Sequence, residues 1–261
     1  MAKGSTHQSS EFVKAIYLGA SGSGKTGSLV SLVNAGYQLR VLDLDNGLDA
    51  LVGEIKRQCP DKLDALDYIT LQDNITADKL RGAKVQGSPK AYTDAIKYMT
   101  KWDDESTPSE WGTNTIFALD SLTLFGRAAK RWAEGMNPTA KDPRQWYGAA
   151  QESITTVLDM LTSKNFRAHV LILTHIDMTE LPDGTVKGYA SSIGKALGPK
   201  LPAVFNNMIL AESRGTGENV KRTIATMPTN ILELKTARSH TIPKSLPLNT
   251  GMATIFEELL K

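Results

Sequence analysis

Residues 18–27 read LGASGSGKTG, and two phosphate-binding patterns overlap there. Gly19, Gly24, Lys25 and Thr26 fit G-x-x-x-x-G-K-[ST], a loop whose backbone N–H groups cradle the phosphates of a nucleoside triphosphate. Gly22, Gly24 and Gly27 fit G-x-G-x-x-G, the turn that approaches a dinucleotide pyrophosphate. Asp43 and Asp45 even fall where a dinucleotide fold places its ribose acid. Chance separates the two in part. Three spaced glycines arise by accident in about one chain in ten of this length, two glycines followed by Lys-Thr in about one in a hundred. Chemistry points the same way, because a dinucleotide loop has no need of a lysine beside its glycines. A triphosphate does. Lys25 neutralises β/γ charge and the Thr26 hydroxyl ligates Mg2+. Gly19, Ala20, Ser21, Gly22, Ser23, Gly24 and Gly27 complete a cradle that ends at a helix N-terminus.

Such a loop needs an acid on a neighbouring strand. Thr115 to Asp120 (TIFALD) is an apolar run ending in Asp120 and followed by Ser121, the Walker B pattern, whose carboxylate holds the Mg2+ shell. An apolar run ending in Asp is common by itself; paired with the P-loop it becomes a metal-binding candidate.

The elements that position these residues follow from periodicity. Phe12 to Leu18 reads as a buried strand, Lys25 to Ala35 as a helix stopped by Gly36, and Arg40 to Leu44 as a second strand. NGLDALVGEI leads into another helix, and Tyr68 to Leu71 is a third strand. Asn74 to Ser88 reads as a polar, irregular insertion. Lys90 to Trp102 has helical spacing with Ile96, Met99 and Trp102 inward. Ser121 to Ala133 is a helix with Arg127, Lys130 and Arg131 on a solvated face. Glu134 to Arg144 is a loop by its Gly and Pro content, and Gln145 to Leu161 a helix with Trp146 as a core anchor near its start. Tyr147 beside it is open to either core packing or base stacking. Val170 to Leu173 is a buried strand that delivers Thr174 and His175. Asp177 to Leu197 reads as a long Gly-rich loop, and loops of that length inside a compact domain are functional or disordered. Asn207 to Ala211 and Thr223 to Met227 form an antiparallel hairpin, Ile231 to Lys235 one more strand, and IFEELLK a terminal amphipathic turn. The alternation of strands and helices predicts an α/β fold: a mostly parallel sheet with helices on both faces and a C-terminal antiparallel extension. Gly24, Asp45, Asp120, Thr174 and His175 should meet at its carboxyl edge.

The chain has 261 residues, enough for one domain over 11–261 behind a flexible tail of residues 1–10. Hydrophobic residues make up 41% and charged residues 22%, which places it among globular chains. A net charge of +2 means that any nucleic-acid contact must be local or repeated through an oligomer. The single Cys59 rules out an internal disulfide and suits a reducing, cytoplasmic compartment; no apolar run predicts a signal or a membrane span.

The order of parts from about Phe12 to Arg238 resembles the RecA-type recombinase core, closest to compact RecA-like proteins of bacteriophages that act in single-strand annealing or recombination. The carriers are GASGSGKT, DLDNGLDAL, FALDS, ILTHI, LPAVFNNMIL and LKTARS. The resemblance implies ATP and Mg2+ as ligands, single-stranded DNA as partner, and a homo-oligomeric ring or filament. It adds a single-strand-binding protein as a further partner and the host cytoplasm as location if the protein is phage-encoded. It implies that His175 links nucleotide state to DNA, and that Lys235 and Arg238 reach a neighbour's ATP. Glu134 to Arg144, with Lys141 and Arg144, would be the first DNA loop. Asp177 to Lys195, with Lys187, Tyr189 and Lys195, would be the second. RecA-type ATPases polarise water with a glutamate; the matching places here hold the shorter Asp45 and Asp94, which implies slow hydrolysis, with binding as the working state. The flanking RecA domains have no counterpart, and STHQSSEF is a candidate subunit-joining arm. An ATP-driven DNA motor or helicase loader shares the same core. A P-loop small-molecule kinase needs an arginine-rich lid, and Asp177 to Lys195 contains no arginine. A non-enzymatic ATP sensor is the fourth reading.

Overall fold

The computed structural model describes residues 11–78 and 82–261. The expected N-terminal tail and most of the candidate arm lie outside the described residues. The first half of the chain contains β1 (Lys14–Gly19), α1 (Lys25–Ser28), α2 (Val30–Asn34), β2 (Gln38–Asp43), α3 (Asp49–Gln58), β3 (Leu66–Thr70), β4 (Ile75–Asp78), β5 (Gly82–Val85), α4 (Ala91–Thr100), α5 (Pro108–Trp111) and β6 (Thr115–Asp120). The second half contains α6 (Leu122–Met136), α7 (Arg144–Thr162), β7 (His169–Thr174), β8 (Ile176–Glu180), β9 (Val186–Ala190), α8 (Leu201–Val204), β10 (Asn207–Arg214), β11 (Lys221–Ala225), β12 (Ser245–Pro247) and α9 (Leu248–Leu260).

Eight strands form one sheet in the order β12-β11-β10-β1-β7-β6-β2-β3. From β10 to β3 all pairs are parallel; β11 and β12 extend the sheet antiparallel. Every residue of β6 and of β7 is buried. That is why both read as unbroken apolar runs: a parallel strand is covered on both faces. Along β1 the side chains alternate. Ile16 and Leu18 join a core with Tyr92, Phe125, Ile154 and Leu158 from α4, α6 and α7. Ala15 and Tyr17 join the opposite core with Leu32, Leu51, Ile55 and Phe256 from α2, α3 and α9. The fold is the expected α/β architecture, a mostly parallel sheet with helices on both faces and an antiparallel C-terminal extension.

Several local expectations are corrected. The segment 74–88 is not irregular: β4 and β5 pair as an antiparallel hairpin, Ile75 opposite Val85. The segment 177–197 is not a continuous loop either, since β8 and β9 pair from Ile176–Ala190 to Glu180–Val186. Both hairpins escape periodicity because they are two-stranded ribbons with little burial, as in the half-exposed pattern of β8. Ile231 to Lys235 makes only isolated bridges, Leu232 with Gly188 and Lys235 with Met208. The first helix is interrupted at Leu29, and α6 runs on to Met136, so the connection to α7 is shorter than expected. The terminal amphipathic turn is the end of a 13-residue helix. Trp146 is half-buried against the core, as expected, and its indole N–H donates to the Asn137 carbonyl.

Candidate nucleotide site

The carboxyl edge of the sheet gathers the motif residues by register. Leu18 on β1 lies beside Thr174 on β7, and Asp120 on β6 lies beside Leu173 on β7 and Asp43 on β2. β7 therefore separates the P-loop strand from the acid strand.

The loop itself is built by backbone freedom. Gly22 and Gly24 sit at φ 74° and 91°, in the left-handed region where a side chain is strained. Gly24 is also crowded: a Cβ there would lie 2.5 Å from Leu248 Cδ2 and 3.4 Å from Arg222 Cδ. Lys25 is buried, and its Nζ donates to the carbonyls of Gly19 (2.8 Å) and Ala20 (3.0 Å). Burial lowers its pKa, and the Asp120 and Asp45 carboxylates oppose that shift. The Thr26 hydroxyl donates to Asp120 Oδ2 at 2.7 Å. Burial pushes the Asp120 carboxyl up to about 6; the Thr26 hydrogen bond opposes this, while the charges of Asp45 and Asp43 add to it. Ser23 Oγ is buried and has no hydrogen-bond partner among the described residues.

A second layer supports the acids. Asp43 accepts the backbone N–H of Asp45 (3.1 Å) and Gly47 (3.3 Å) and the hydroxyl of Thr70 (3.3 Å), which shapes the turn after β2. Its carboxyl is raised by burial, and those hydrogen bonds oppose the shift. The turn delivers Asp45, whose Oδ1 accepts the Ser121 hydroxyl at 2.7 Å. His175 is half-buried with Nδ1 3.2 Å from Thr123 Oγ1. Its pKa is lowered by burial first and by Lys25 and Arg127, with Asp45 and Asp177 opposing. Asp45 thus acts on Asp120, Lys25 and His175 alike. Asp94 is half-buried on α4 and is not among the charges acting on any of the three. Of the two candidate water-polarising acids, the structure brings Asp45 to the P-loop.

Lys235 and Arg238 lie elsewhere. Lys235 bridges Met208 near the start of β10, whereas Ala211 is the residue level with Gly19. The Lys235 ammonium donates to the Pro202 carbonyl at 2.5 Å, and Arg238 acts on Glu258 near the end of α9. Both stand toward the edge of the sheet opposite their own P-loop.

The residues singled out for DNA fall into two groups. Gln151 on α7 donates to the Ile193 carbonyl at 2.9 Å, and the nearest side chains to Gly194 are Gln151 and Tyr147. This lays segment 191–197 on the start of α7, so the exposed Lys195 shares a surface with the exposed Tyr147. The Lys130 ammonium stands 5.3 Å from the Tyr147 ring centroid and pairs with Glu134. Lys141 and Arg144 are exposed at the adjoining connection, Arg144 bonded to Asp142 at 2.8 Å. The other group sits on the hairpin: Lys187 donates to the Asn230 carbonyl at 3.1 Å, and Tyr189 is half-buried against Gly198.

A hydrogen-bond path that motif reading misses joins the two regions. Thr174 Oγ1 donates to the Ser191 carbonyl at 2.5 Å, and Ser191 N–H donates to the His175 carbonyl at 2.9 Å. Thr123 contacts both Thr174 (3.2 Å) and His175. Gly126 lies against the Ser192 backbone, where a Cβ would fall 2.6 Å from the carbonyl oxygen. The signal is a scatter of hydroxyl residues whose meeting depends on the fold.

No curated protein matches the sequence. Among solved structures, a KaiC-like protein from the hyperthermophilic archaeon Pyrococcus horikoshii OT3 is similar at 10% identity, covering 91% of this chain and 87% of that one, with a TM-score of 0.45. A prototypical ATPase from the type III secretion system of pathogenic bacteria is similar at 16% identity and a TM-score of 0.44. That match covers 77% of this chain and 52% of the ATPase, so this chain accounts for about half of its length. Among the described residues no helix is long and apolar enough to cross a membrane. The sequence profile of the AAA domain matches residues 11–236, a span that holds the P-loop, Asp45, Asp120 and the path from His175 to Ser191; the chain belongs to the AAA domain family of P-loop ATPases.

Proposed function

We propose that this protein is an ATP-switched, single-stranded-DNA-binding protein of the kind bacteriophages use for annealing or recombination. It works as a homo-oligomer, a ring or a filament, in the cytoplasm. The observation that carries this reading is the path from Thr174 and His175 at the nucleotide edge to Ser191, and on to the surface shared by Tyr147 and Lys195. A segment bonded at both ends in this way responds when its nucleotide end moves.

The residues fit Mg2+ and a triphosphate. The unpartnered Ser23 hydroxyl, the left-handed Gly22 and Gly24 and the buried Lys25 ammonium bring polar groups and a side-chain-free backbone together in one loop. Thr26 and Asp120 would hold the metal, which supplies charge neutralisation to the phosphate oxygens. Lys25 neutralises the phosphate chain from the loop side. Asp45, held by Ser121, is the acid placed to orient a water, and its short reach suits slow turnover. Lys235 and Arg238, distant from their own P-loop, can serve a triphosphate only across a subunit interface. A single-strand-binding protein is the partner expected to share the DNA.

Anisotropy of a labelled single-stranded oligonucleotide tests the reading, with Mg-ATP, Mg-ADP and no nucleotide, beside duplex of equal length. Tight, ATP-favoured, single-strand-preferring binding is expected. Binding in no state would leave a P-loop kinase or sensor, and fast DNA-stimulated hydrolysis with translocation would favour a motor or loader. Tyr147→Ala should weaken single-strand binding by about 10-fold through lost base stacking with little change in salt dependence. Lys195→Ala should lower the salt slope by about one. Lys187→Ala, whose ammonium is tied to Asn230, should do less. Equal effects at Lys187 and Lys195 would move the DNA surface to the hairpin.

A further inference from the structure

The P-loop has a second flank with no role yet. Asp120, Asp45 and His175 all lie on the β7–β6–β2 side of β1, while β10 and β11 lie on the other side. A triphosphate lying along the loop with its terminal phosphate toward Thr26 and Asp120 would turn its nucleoside away from β6, toward β10 and β11. Two side chains stand there. Arg222 on β11 pairs in register with Ser213, two residues beyond the Ala211–Ile224 pair that is level with Gly19. At the rise of an extended strand this places Arg222 about 7 Å above the carboxyl edge. It shares a sheet face with Ile224, which is buried and packs near Gly251 of α9, so it rises on the side of the sheet that carries α1 and α9. Its Cδ, one bond from the guanidinium, lies 3.4 Å from where a Gly24 Cβ would be, and Leu248, the first residue of α9, fills the rest of that space at 2.5 Å. Arg222 is exposed, and among the described residues nothing pairs with it, whereas Arg214 nearby is held by Glu212 at 3.0 Å.

We propose that Arg222 and Leu248 form the nucleoside wall of the site, with the Arg222 guanidinium stacked flat on the base of the bound nucleotide. An arginine at this place is suited to the role. Its delocalised plane stacks on aromatic faces, and it is weakly hydrated compared with an ammonium. Leu248 supplies an apolar flank, and the loop's Gly24 lets both side chains approach. The contact is indifferent to base edges, so it adds affinity for any nucleoside triphosphate without reading its hydrogen-bonding pattern. The inference rests on the P-loop reading above.

Titration calorimetry of the full chain with Mg-ATP and with Mg-tripolyphosphate tests it. The wild type should bind ATP more tightly than tripolyphosphate. Arg222→Ala should weaken ATP about 10-fold and tripolyphosphate less than 2-fold, and Arg222→Lys, which keeps charge but loses the plane, should resemble Arg222→Ala. A thermal melt verifies that both variants fold. Equal weakening of both ligands, rescue by lysine, or unchanged ATP affinity in a folded variant each overturn the stacking role. Wild-type affinity that is equal for the two ligands overturns it too, while leaving the P-loop reading intact. A wild type that binds neither ligand overturns the P-loop reading itself.

Discussion

Lys25→Ala should reduce Mg-ATP affinity at least 100-fold while the protein stays folded. The ammonium is held within the loop by the Gly19 and Ala20 carbonyls at 2.8 and 3.0 Å, so it is already positioned over the cradle. Charge-assisted hydrogen bonds contribute about 1.5–3 kcal/mol each, and losing two to phosphate oxygens gives about 3–6 kcal/mol, or more than about a hundredfold in Kd. The structural cost is smaller. Ala20 is exposed and its carbonyl regains water, while Gly19 is buried and loses a partner worth about 1 kcal/mol. Calorimetry with Mg-ATP beside a thermal melt separates the two. A folded variant with wild-type affinity would remove the lysine, and with it the P-loop assignment, from nucleotide binding.

Asp120→Asn should raise the stability of the nucleotide-free protein and remove the benefit of Mg2+ for ATP binding. Burial holds the Asp120 carboxyl at about 6, above its ordinary value of 3.8, so the native state favours the protonated form. The corresponding stability is fully present below pH 3.8 and is lost as pH rises through 6. At neutral pH the ionised carboxylate costs about 3 kcal/mol, which an amide does not. The variant should therefore gain about that amount at pH 7 and nothing near pH 3.8, since Asn can still accept from Thr26. The metal requires the ionised acid, so the same substitution should make ATP affinity independent of Mg2+ addition. Denaturant unfolding at the two pH values reads the first effect, and ATP titration with and without Mg2+ the second. A variant less stable than wild type at pH 7 would mean that the carboxylate is stabilised by its surroundings. A retained Mg2+ response would place the metal on another acid.

Legibility in the sequence followed how local each signal was. The P-loop, β1, β6 and β7 were readable because the motif residues are consecutive and the buried parallel strands are unbroken apolar runs. The pair Thr26–Asp120 was readable as two halves of one chemistry although 94 residues separate them. The two hairpins were not, because strands such as Ile176–Glu180 bury one residue in two at best and owe their place to backbone bonds, Gly188 N–H to Ile231 among them. α5 carries a legible start, the capping box Thr107-Pro-Ser-Glu110, but four residues are too few for helical periodicity to register. Asp45 and Asp94 could not be separated in one dimension; the turn after β2, braced by Asp43, brings Asp45 toward the P-loop. Arg222 had no signal at all. It is one of 30 Lys and Arg residues, and only the register of β11 against β10 brings its stem to Gly24.

The seat of Leu248 on Gly24 couples the phosphate loop to a helix that lies outside the matched domain. The shared AAA domain ends at residue 236, and the helix whose first residue touches the phosphate loop begins at 248. The phosphate loop thus takes one neighbour, Leu248, from beyond the matched span, while Arg222 on the same flank lies within it.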